Sequence, residues 1–170
     1  MPDRKDLKVS LPGGYRPWTT WPPSDPRGGW AAEILDPYVK AEIWDCPSIR
    51  ASSLGGIVQV AQDYRRNSGA LATARYWVWR FDRIDPITPL DNFWHKSAEQ
   101  IVADLQQANN PQVGFPQGVA DVELAVDPYF PRTIPTVPVA VRGVTPHLGG
   151  RNRLFLDGHV KWLRDIRTNA

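Results

Sequence analysis

The sequence predicts an α+β fold, and three features of the chain support this prediction. Short segments with strand or helix patterns are separated by many turn-forming residues, since 17 of the 170 residues are proline and 13 are glycine. These segments do not alternate in the strand–helix–strand order that builds parallel sheets. The dipeptide Asp157-Gly158 lies between two short apolar segments, which is the pattern of a β-hairpin. At this length we expect residues 1–170 to form a single domain.

The composition is that of an ordinary globular protein and excludes several functional classes. Hydrophobic residues make up 42% of the chain and charged residues 22%, which argues against disorder. The net charge of +2 comes from 20 basic and 18 acidic residues spread along the chain, so we expect no nucleic-acid partner. No apolar run approaches the roughly 18–20 residues of a membrane span, and residues 1–6 lack the apolar segment of a signal peptide. We therefore expect this polypeptide neither to insert into a membrane nor to export itself.

The N-terminal part of the chain predicts an arm followed by a short helix. Residues 1–29 are rich in proline and glycine and predict an extended arm, which Trp18 and Trp21 attach to the rest of the domain. Residues 30–40 begin as a helix that Pro37 should end near Leu35. Ile43-Trp44 follows, and because both residues favour strands, this pair is predicted to be extended.

The middle of the chain contains the clearest strand and the clearest helix. Residues 75–81 carry aromatic side chains at alternate positions, which predicts a central strand. Ser97 and Gln100 form a capping-box pattern at the start of a helix over residues 98–108. The apolar stripe of this helix consists of Ala98, Ile101, Val102, Leu105 and Ala108.

The segments that follow the helix predict one more strand and a loop. Residues 119–126 alternate like a strand that ends at Asp127-Pro128. Residues 128–146 are rich in proline and predict a loop over the surface.

The C-terminal hairpin is predicted to have a two-residue type I′ turn at Asp157-Gly158. That turn would pair Leu156 with His159 and Phe155 with Val160. One face of the hairpin would then carry Arg153, Phe155, Val160 and Trp162, and the other Leu154, Leu156, His159, Lys161 and Leu163. Both faces are partly apolar, so we expect each of them to be covered.

Two separated blocks of residues resemble the prepilin-type proteins with an H-x9-DG signature, which are similar to type IV pilins and type II secretion pseudopilins. The C-terminal block starts at His147 and has nine residues before Asp157-Gly158; its matching positions include His147, Gly150, Asn152, Asp157, Gly158 and His159. The second block lies upstream and is similar to the family's "W…L.PYV…F.CPS" pattern, with Trp30, Leu35, Pro37-Tyr38-Val39, Ile43-Trp44 and Cys46-Pro47-Ser48.

This resemblance implies a pilin-like head, in which a small antiparallel sheet packs on an N-terminal helix that is absent from this chain. It also implies a structural subunit of a type IV pilus-like or type II secretion-like filament, extracellular or periplasmic at the cell surface, and not an enzyme. The implied partners are other pilin subunits or a separate chain that supplies the helix, in a homo-oligomer or filament, with membrane contact only through the missing or partner helix. Candidate helix-packing residues are Phe155, Val160, Trp162, Leu154 and Leu156. Family members often pair a cysteine at the position of Cys46 with one near the end of the helix.

Metal binding and nucleophilic catalysis are the two chemical roles open to the histidines and the single cysteine. His147 and His159 could bind Zn²⁺ with Asp157, but Asp157 has a simpler role in the turn and His147 in hydrogen bonding the loop before the hairpin. The chain lacks the acidic run of a calcium loop. Cys46 could pair with His95 or His147 as nucleophile and base, yet it precedes Pro47 outside any nucleophile motif. We therefore expect no metal, no cofactor and no catalytic residue.

A carbohydrate-binding or adhesive surface module is the alternative function. Trp18, Trp21 and Trp94 lie in loop-like segments, and exposed aromatic rings can stack on sugars. The same residues could equally pin the arm or become buried in a subunit contact.

Overall fold

The computed structural model describes residues 27–78, 93–109, 115–130, 138–147 and 149–164, and these form the predicted mixture of helices and strands. The helices are α1 (Gly29–Leu35), α2 (Pro47–Ala51) and α3 (Ala98–Ala108). The strands are β1 (Gln62–Arg65), β2 (Leu71–Ala74), β3 (Trp77–Val78), β4 (Glu123–Val126), β5 (Gly150–Phe155) and β6 (Val160–Arg164). The α+β class is confirmed, with a two-stranded sheet β1-β2 and a four-stranded sheet in the order β3-β4-β5-β6.

The chain divides into two compact units. That residues 1–170 form a single domain stays a prediction. Unit 1 contains the described residues of Trp79–Ala125 and Arg153–Lys161. Unit 2 contains those of Arg27–Val78, Val126–Asn152 and Trp162–Ala170. Within the described ranges, no helix combines the length and the apolar character needed to cross a membrane.

Helix α1 begins unit 2 and ends at Leu35, so the prediction that Pro37 limits this helix is confirmed. Its buried face includes Ala32, which packs with Tyr64 and Ala74 of the β1-β2 sheet. The predicted extended conformation of Ile43-Trp44 was wrong, because Ala41–Trp44 is a 3-10 helix. A local hydrogen bond from Ile43 N–H to the Lys40 carbonyl, at 3.1 Å, stabilises this turn instead of a strand ladder.

The β1-β2 hairpin of unit 2 was missed from the sequence. Its strands pair from Gln62 with Ala74 to Arg65 with Leu71. The Arg66 amide donates to the Ala70 carbonyl at 2.9 Å, and the Gly69 amide donates back to the Arg66 carbonyl at 2.9 Å. The loop therefore has three residues and carries no Asn-Gly or Asp-Gly pair, which is the strongest hairpin signal in a sequence.

Strand β3 lies within the predicted strand of residues 75–81, of which residues 79–81 are outside the described residues. Trp77 and Val78 are both buried, as in a strand with both faces covered. The Trp77 indole Nε1 donates to the Gln59 carbonyl at 3.0 Å, and its ring meets Phe130 edge-on, with 5.4 Å between ring centroids. Trp77 is therefore a central part of the core of unit 2.

Helix α3 in unit 1 has the predicted bounds and the predicted N-terminal cap. The Gln100 amide donates to Ser97 Oγ, and the Ser97 amide donates to Gln100 Oε1, which completes the capping box. The helix ends at Ala108, and its C-cap residue Asn109 is left-handed with φ 44°. The core on which α3 packs consists of Phe93, Ile101, Leu105 and Val122, with Val102, Leu124 and Leu156 at its border.

The predicted strand over residues 119–126 is confirmed only in its second half. Val119–Asp121 forms a 3-10 turn, and the strand β4 starts at Glu123. The Asp121 carboxylate accepts the Gln117 amide at 2.9 Å, so this acidic residue stabilises a turn where alternation alone predicts a strand. In the proline-rich segment of residues 128–146, Val139–Val141 is another 3-10 turn.

The hairpin β5-β6 is present, but its predicted register was wrong. The Phe155 amide donates to the His159 carbonyl and the Gly158 amide donates to the Phe155 carbonyl, both at 2.9 Å. The loop therefore contains three residues, as in the β1-β2 hairpin, and Phe155 rather than Leu156 lies opposite His159. A type I′ turn requires a positive φ at both central residues, and of Asp157 and Gly158 only the glycine has one, at 90°.

This one-residue change exchanges the faces of the hairpin. Continuing the register from Phe155 and His159 sets Leu154 opposite Val160, so Val160 and Trp162 share a face with Leu154. Phe155 instead shares its face with His159, and their rings stack with 4.4 Å between centroids. Phe155 is buried, whereas Val160 is 65% exposed and Trp162 is 49% exposed.

Replacing Gly158 by alanine should lower the free energy of unfolding by about 1–2 kcal/mol. No atom lies within 4 Å of the Cβ that alanine would add, so the cost comes from the left-handed backbone conformation and not from a clash. Urea denaturation of the purified protein measures this difference.

Gly118→Ala is the matched control for Gly158→Ala. Gly118 also has open space around an added Cβ, but its φ of −170° is open to any residue. We expect this variant to stay within about 0.5 kcal/mol of the original protein. Equal losses in both variants would contradict the three-residue loop.

Candidate functional site

Three side chains that are far apart in the sequence converge in unit 2: Cys46, Asp127 and His147. The Cys46 sulfur lies 4.0 Å from His147 Nε2, and Asp127 Oδ2 lies 3.2 Å from the same nitrogen. One donor atom from each residue lies within 4.8 Å of the other two. We call this group the Cys-Asp-His cluster. The sequence raised the pairing of Cys46 with His147 only as a nucleophile and a base, and the structure brings these two residues together with Asp127.

Cys46 is positioned by the start of α2. It is the N-cap residue of this helix, and its carbonyl accepts the Arg50 amide at 3.0 Å. Pro47 follows as the first helical residue, where the missing amide hydrogen costs nothing. The preceding Asp45 forms ion pairs with both Arg50 and Arg75. The Cys-Pro-Ser sequence is therefore a helix start held in place by ion pairs, and its thiol is free and 6% exposed.

His147 is positioned by a tight turn that the glycines of the signature allow. The Gly150 amide donates to the His147 carbonyl at 3.1 Å, which closes a four-residue turn. Gly149, the third residue of that turn, has φ 70°, a value that residues with a Cβ rarely adopt. Its amide also donates to Thr145 Oγ1 at 3.2 Å. The His147 side chain remains 27% exposed, so the cluster is accessible from solvent at this residue.

Asp127 follows directly after β4 and is held by the backbone of β5. Its amide donates to the Asn152 carbonyl at 3.1 Å, and its Oδ2 accepts the Asn152 amide at 2.8 Å. Asn152, a position of the H-x9-DG signature, thus holds Asp127 mainly through its backbone, with a smaller contribution from its side chain. The carbonyl of Asp127 also accepts a bond from the buried Arg151 guanidinium, at 3.3 Å.

The carboxyl of Asp127 is fully buried, and this burial raises its pKa. The hydrogen bond from the Asn152 amide and the nearby His147 act in the opposite direction and lower the pKa. Oδ1, the second carboxylate oxygen, is buried and has no hydrogen-bond partner among the residues that the structure describes. If Asp127 is ionised, the protein around it therefore compensates only part of the negative charge of its carboxylate.

Tyr76 borders the cluster next to Cys46. Burial is the main cause that raises the pKa of its hydroxyl, and the nearby Cys46 and Asp127 raise the pKa further. A hydrogen bond between the Tyr76 side chain and Cys46 contributes in the same direction. Tyr76 thus stays a neutral hydroxyl that can donate to the sulfur.

The geometry does not match a nucleophile–base–acid triad. In such a triad the acid holds one ring nitrogen of the histidine while the other nitrogen faces the nucleophile. Here the sulfur and the carboxylate both approach Nε2 of His147. A nitrogen that is shared in this way cannot accept a proton from Cys46 while it donates to Asp127. The arrangement is instead that of three donor atoms around a common point.

A second pair of an acidic residue and a histidine, Asp157 and His159, lies in unit 1 and stabilises only its own loop. The Asp157 carboxylate accepts the His159 amide at 3.1 Å and lies 2.6 Å from His159 Nδ1. These bonds lower the pKa of Asp157, with the His159 amide as the largest cause. Asp157 therefore stabilises the loop, as its place beside a turn predicts, and His147 has Asp127 as its partner instead.

The residues proposed for helix packing fall into two groups. Phe155 is buried within its own chain, and Leu156 is partly buried at the border of the core of unit 1, so their packing against a separate helix stays a prediction. Val160 and Trp162 are exposed on β6, and Leu154 is partly buried. Strand β6 is the last strand in the order β3-β4-β5-β6.

The residues proposed for sugar binding are only partly described. Trp94 stacks on the adjacent His95 ring, with 4.3 Å between centroids. Trp18 and Trp21 lie outside the described residues.

Asp127 is the site residue that the sequence analysis missed. In the sequence it marks only the end of a strand, and because aspartates are seldom fully buried unless they are paired, nothing local predicts its burial. Asp127 is far from Cys46 and from His147 in the sequence, so no short sequence motif could contain the three residues.

Comparisons with known proteins gave no match to a family model, to a curated protein or to a solved structure.

Proposed function

We propose that this protein is a structural subunit of a type IV pilus-like or type II secretion-like filament outside the cell or in the periplasm. It acts by assembly, through docking of its sheet on a hydrophobic helix of another subunit. The observation that carries the proposal is the exposed apolar edge of the four-stranded sheet at β6.

An apolar edge strand is a feature that soluble proteins usually avoid. Unpaired strand edges and exposed large side chains promote association, so they are normally short, charged or covered. Strand β6 carries Val160 and Trp162, which are 65% and 49% exposed. Within the described ranges the sheet order places no strand beyond β6. Lys161 lies between these apolar residues and Arg164 follows them, and both charges would limit unspecific pairing before assembly.

The positions shared with the H-x9-DG signature also support the proposal. Gly150, Asn152, Asp157 and Gly158 all have structural roles in the turn and the hairpin that precede or form β6. These four positions therefore hold the shape of the segment that leads into β6, as a docking surface requires.

Replacing Trp162 by glutamine should weaken association with a hydrophobic helix at least about tenfold, because tryptophans dominate the energy of many interfaces. The measurement uses the whole chain and a synthetic peptide with a hydrophobic prepilin-type helix, titrated in mild detergent. Analytical ultracentrifugation of the chain alone measures self-association in parallel.

Tyr38→Ser is the matched control, since Tyr38 is another exposed aromatic residue, with an exposure of 84%. It should leave both forms of association unchanged. A chain that remains monomeric at millimolar concentration and does not bind the helix would overturn the proposal. A loss of association in Tyr38→Ser but not in Trp162→Gln would place the surface elsewhere. Binding to a glycan array that depends on Trp18 and Trp21 would favour the carbohydrate alternative.

A further inference from the structure

We propose that the Cys-Asp-His cluster is a binding site for a divalent transition-metal ion, with Zn²⁺ as the best-fitting one. The three ligands are Cys46 Sγ, Asp127 through its carboxylate and His147 Nε2. This site lies within unit 2 and is independent of the assembly function proposed for β6.

The donor set is the first argument. Zn²⁺ is bound in proteins by cysteine sulfur, histidine nitrogen and carboxylate oxygen, and a single site often combines these types. Calcium and magnesium prefer oxygen ligands alone, so a thiolate and an imidazole argue against them. All three residues are of the right type, and each supplies one atom to the same small volume.

The distances between the donor atoms are the second argument. From Zn–S of about 2.3 Å and Zn–N or Zn–O of about 2.0–2.2 Å, a tetrahedral ion holds S and N about 3.6 Å apart and N and O about 3.4 Å apart. The observed separations are 4.0 Å from Cys46 Sγ to His147 Nε2 and 3.2 Å from Nε2 to Asp127 Oδ2. Shifts of a few tenths of an ångström would bring these two separations to their tetrahedral values, and the sulfur and a carboxylate oxygen lie within 4.8 Å of each other.

The charge balance is the third argument. When a metal binds, Cys46 is a thiolate and Asp127 a carboxylate, which puts two negative charges in a region where both residues are buried. A divalent cation compensates both charges, whereas His147 can supply at most one positive charge. The buried Oδ1 atom of Asp127 has no hydrogen-bond partner among the described residues. This free oxygen is what we expect of a carboxylate that binds a metal ion.

The surroundings of the cluster also support the three ligands. The Asn152 amide orients the Asp127 carboxylate at 2.8 Å, and the Tyr76 side chain is hydrogen-bonded to Cys46. Bonds of this kind to the ligating groups are characteristic of metal sites. Three protein ligands leave the fourth tetrahedral position for water or for an exogenous ligand.

The test is a metal titration of the whole chain after removal of bound metal with a chelator and reducing agent. We expect about one Zn²⁺ per chain in competition with a chromophoric chelator, as in a three-ligand site. Co²⁺ should give a sulfur-to-metal charge-transfer band and intense visible bands of a tetrahedral site. Cys46→Ser, Asp127→Asn and His147→Gln should each weaken binding at least about tenfold, and Cys46→Ser should also abolish the charge-transfer band.

His159→Gln is the matched control, because His159 also lies beside a carboxylate, at 2.6 Å from Asp157, but without a thiol. It should bind Zn²⁺ like the original protein. Far-UV circular dichroism of the metal-free variants verifies that each of them is folded. The original chain is the decisive sample, since it needs no substitution: absence of Zn²⁺ binding, or Co²⁺ binding without a sulfur band, would overturn the proposal. Loss of binding in His159→Gln alone would do the same.

Discussion

Replacing Trp77 by alanine is expected to destabilise the protein by about 3–5 kcal/mol. The side chain is completely buried, and its ring meets Phe130 edge-on. The truncation removes this packing and leaves a cavity in the core of unit 2. It also removes the donor that the Gln59 carbonyl accepts at 3.0 Å. Urea denaturation followed by far-UV circular dichroism measures the loss.

Two further variants divide the effect of Trp77→Ala into its causes. Trp77→Phe keeps an aromatic ring but lacks the indole N–H. Its free energy of unfolding should therefore fall by about 1–3 kcal/mol, less than in Trp77→Ala. Leu71→Ala changes a residue that is 69% exposed and should stay within about 0.5 kcal/mol of the original protein. If Trp77→Ala were as mild as Leu71→Ala, the placement of Trp77 in the core would be wrong.

Replacing Leu105 by alanine should cost about 2–5 kcal/mol of unfolding free energy. Leu105 is 2% exposed and packs with Phe93, Ile101 and Val122 where α3 contributes to the core of unit 1. Alanine has the best helix propensity, so the substitution tests the packing and not the helix itself. The measurement is again urea denaturation, with the helical signal in the native state as a measure of an intact fold.

The control for Leu105→Ala lies two residues further along the same helix. Gln107 is exposed, and its replacement by alanine should change the stability by no more than about 0.5 kcal/mol. A loss in Gln107→Ala that equals the loss in Leu105→Ala would mean that α3 presents a different face to the core.

The parts of the fold that could be predicted are those with local causes. Helix α3 was predicted with its bounds because Ser97, Gln100 and the apolar stripe all act within the helix. The C-terminal hairpin was found from Asp157-Gly158, but its register depended on the backbone conformation of Asp157, which composition does not determine. The Asp157 carboxylate accepts the His159 amide, and this bond accompanies the three-residue loop.

The β1-β2 hairpin and the Cys-Asp-His cluster could not be predicted for different reasons. Gly69 in the first hairpin follows Ser68, a weaker turn signal than Asp157-Gly158, although the two loops have the same hydrogen-bond pattern. The cluster joins residues from a helix start, a strand end and a turn. Only tertiary packing brings them together, so the sequence shows the three residues but not their proximity.

The separation of Cys46 and His147 along the chain has a consequence for the unfolded state. The two residues are 101 positions apart. Bringing the ends of such a segment together costs about 4 kcal/mol of chain entropy, taking the length-dependent part of loop closure alone. An ion held by both side chains would offset part of this cost with its binding free energy, because it binds the folded state and not the unfolded one. With a single cysteine, the chain cannot form an internal disulfide, and the metal would link these two segments in the folded state only.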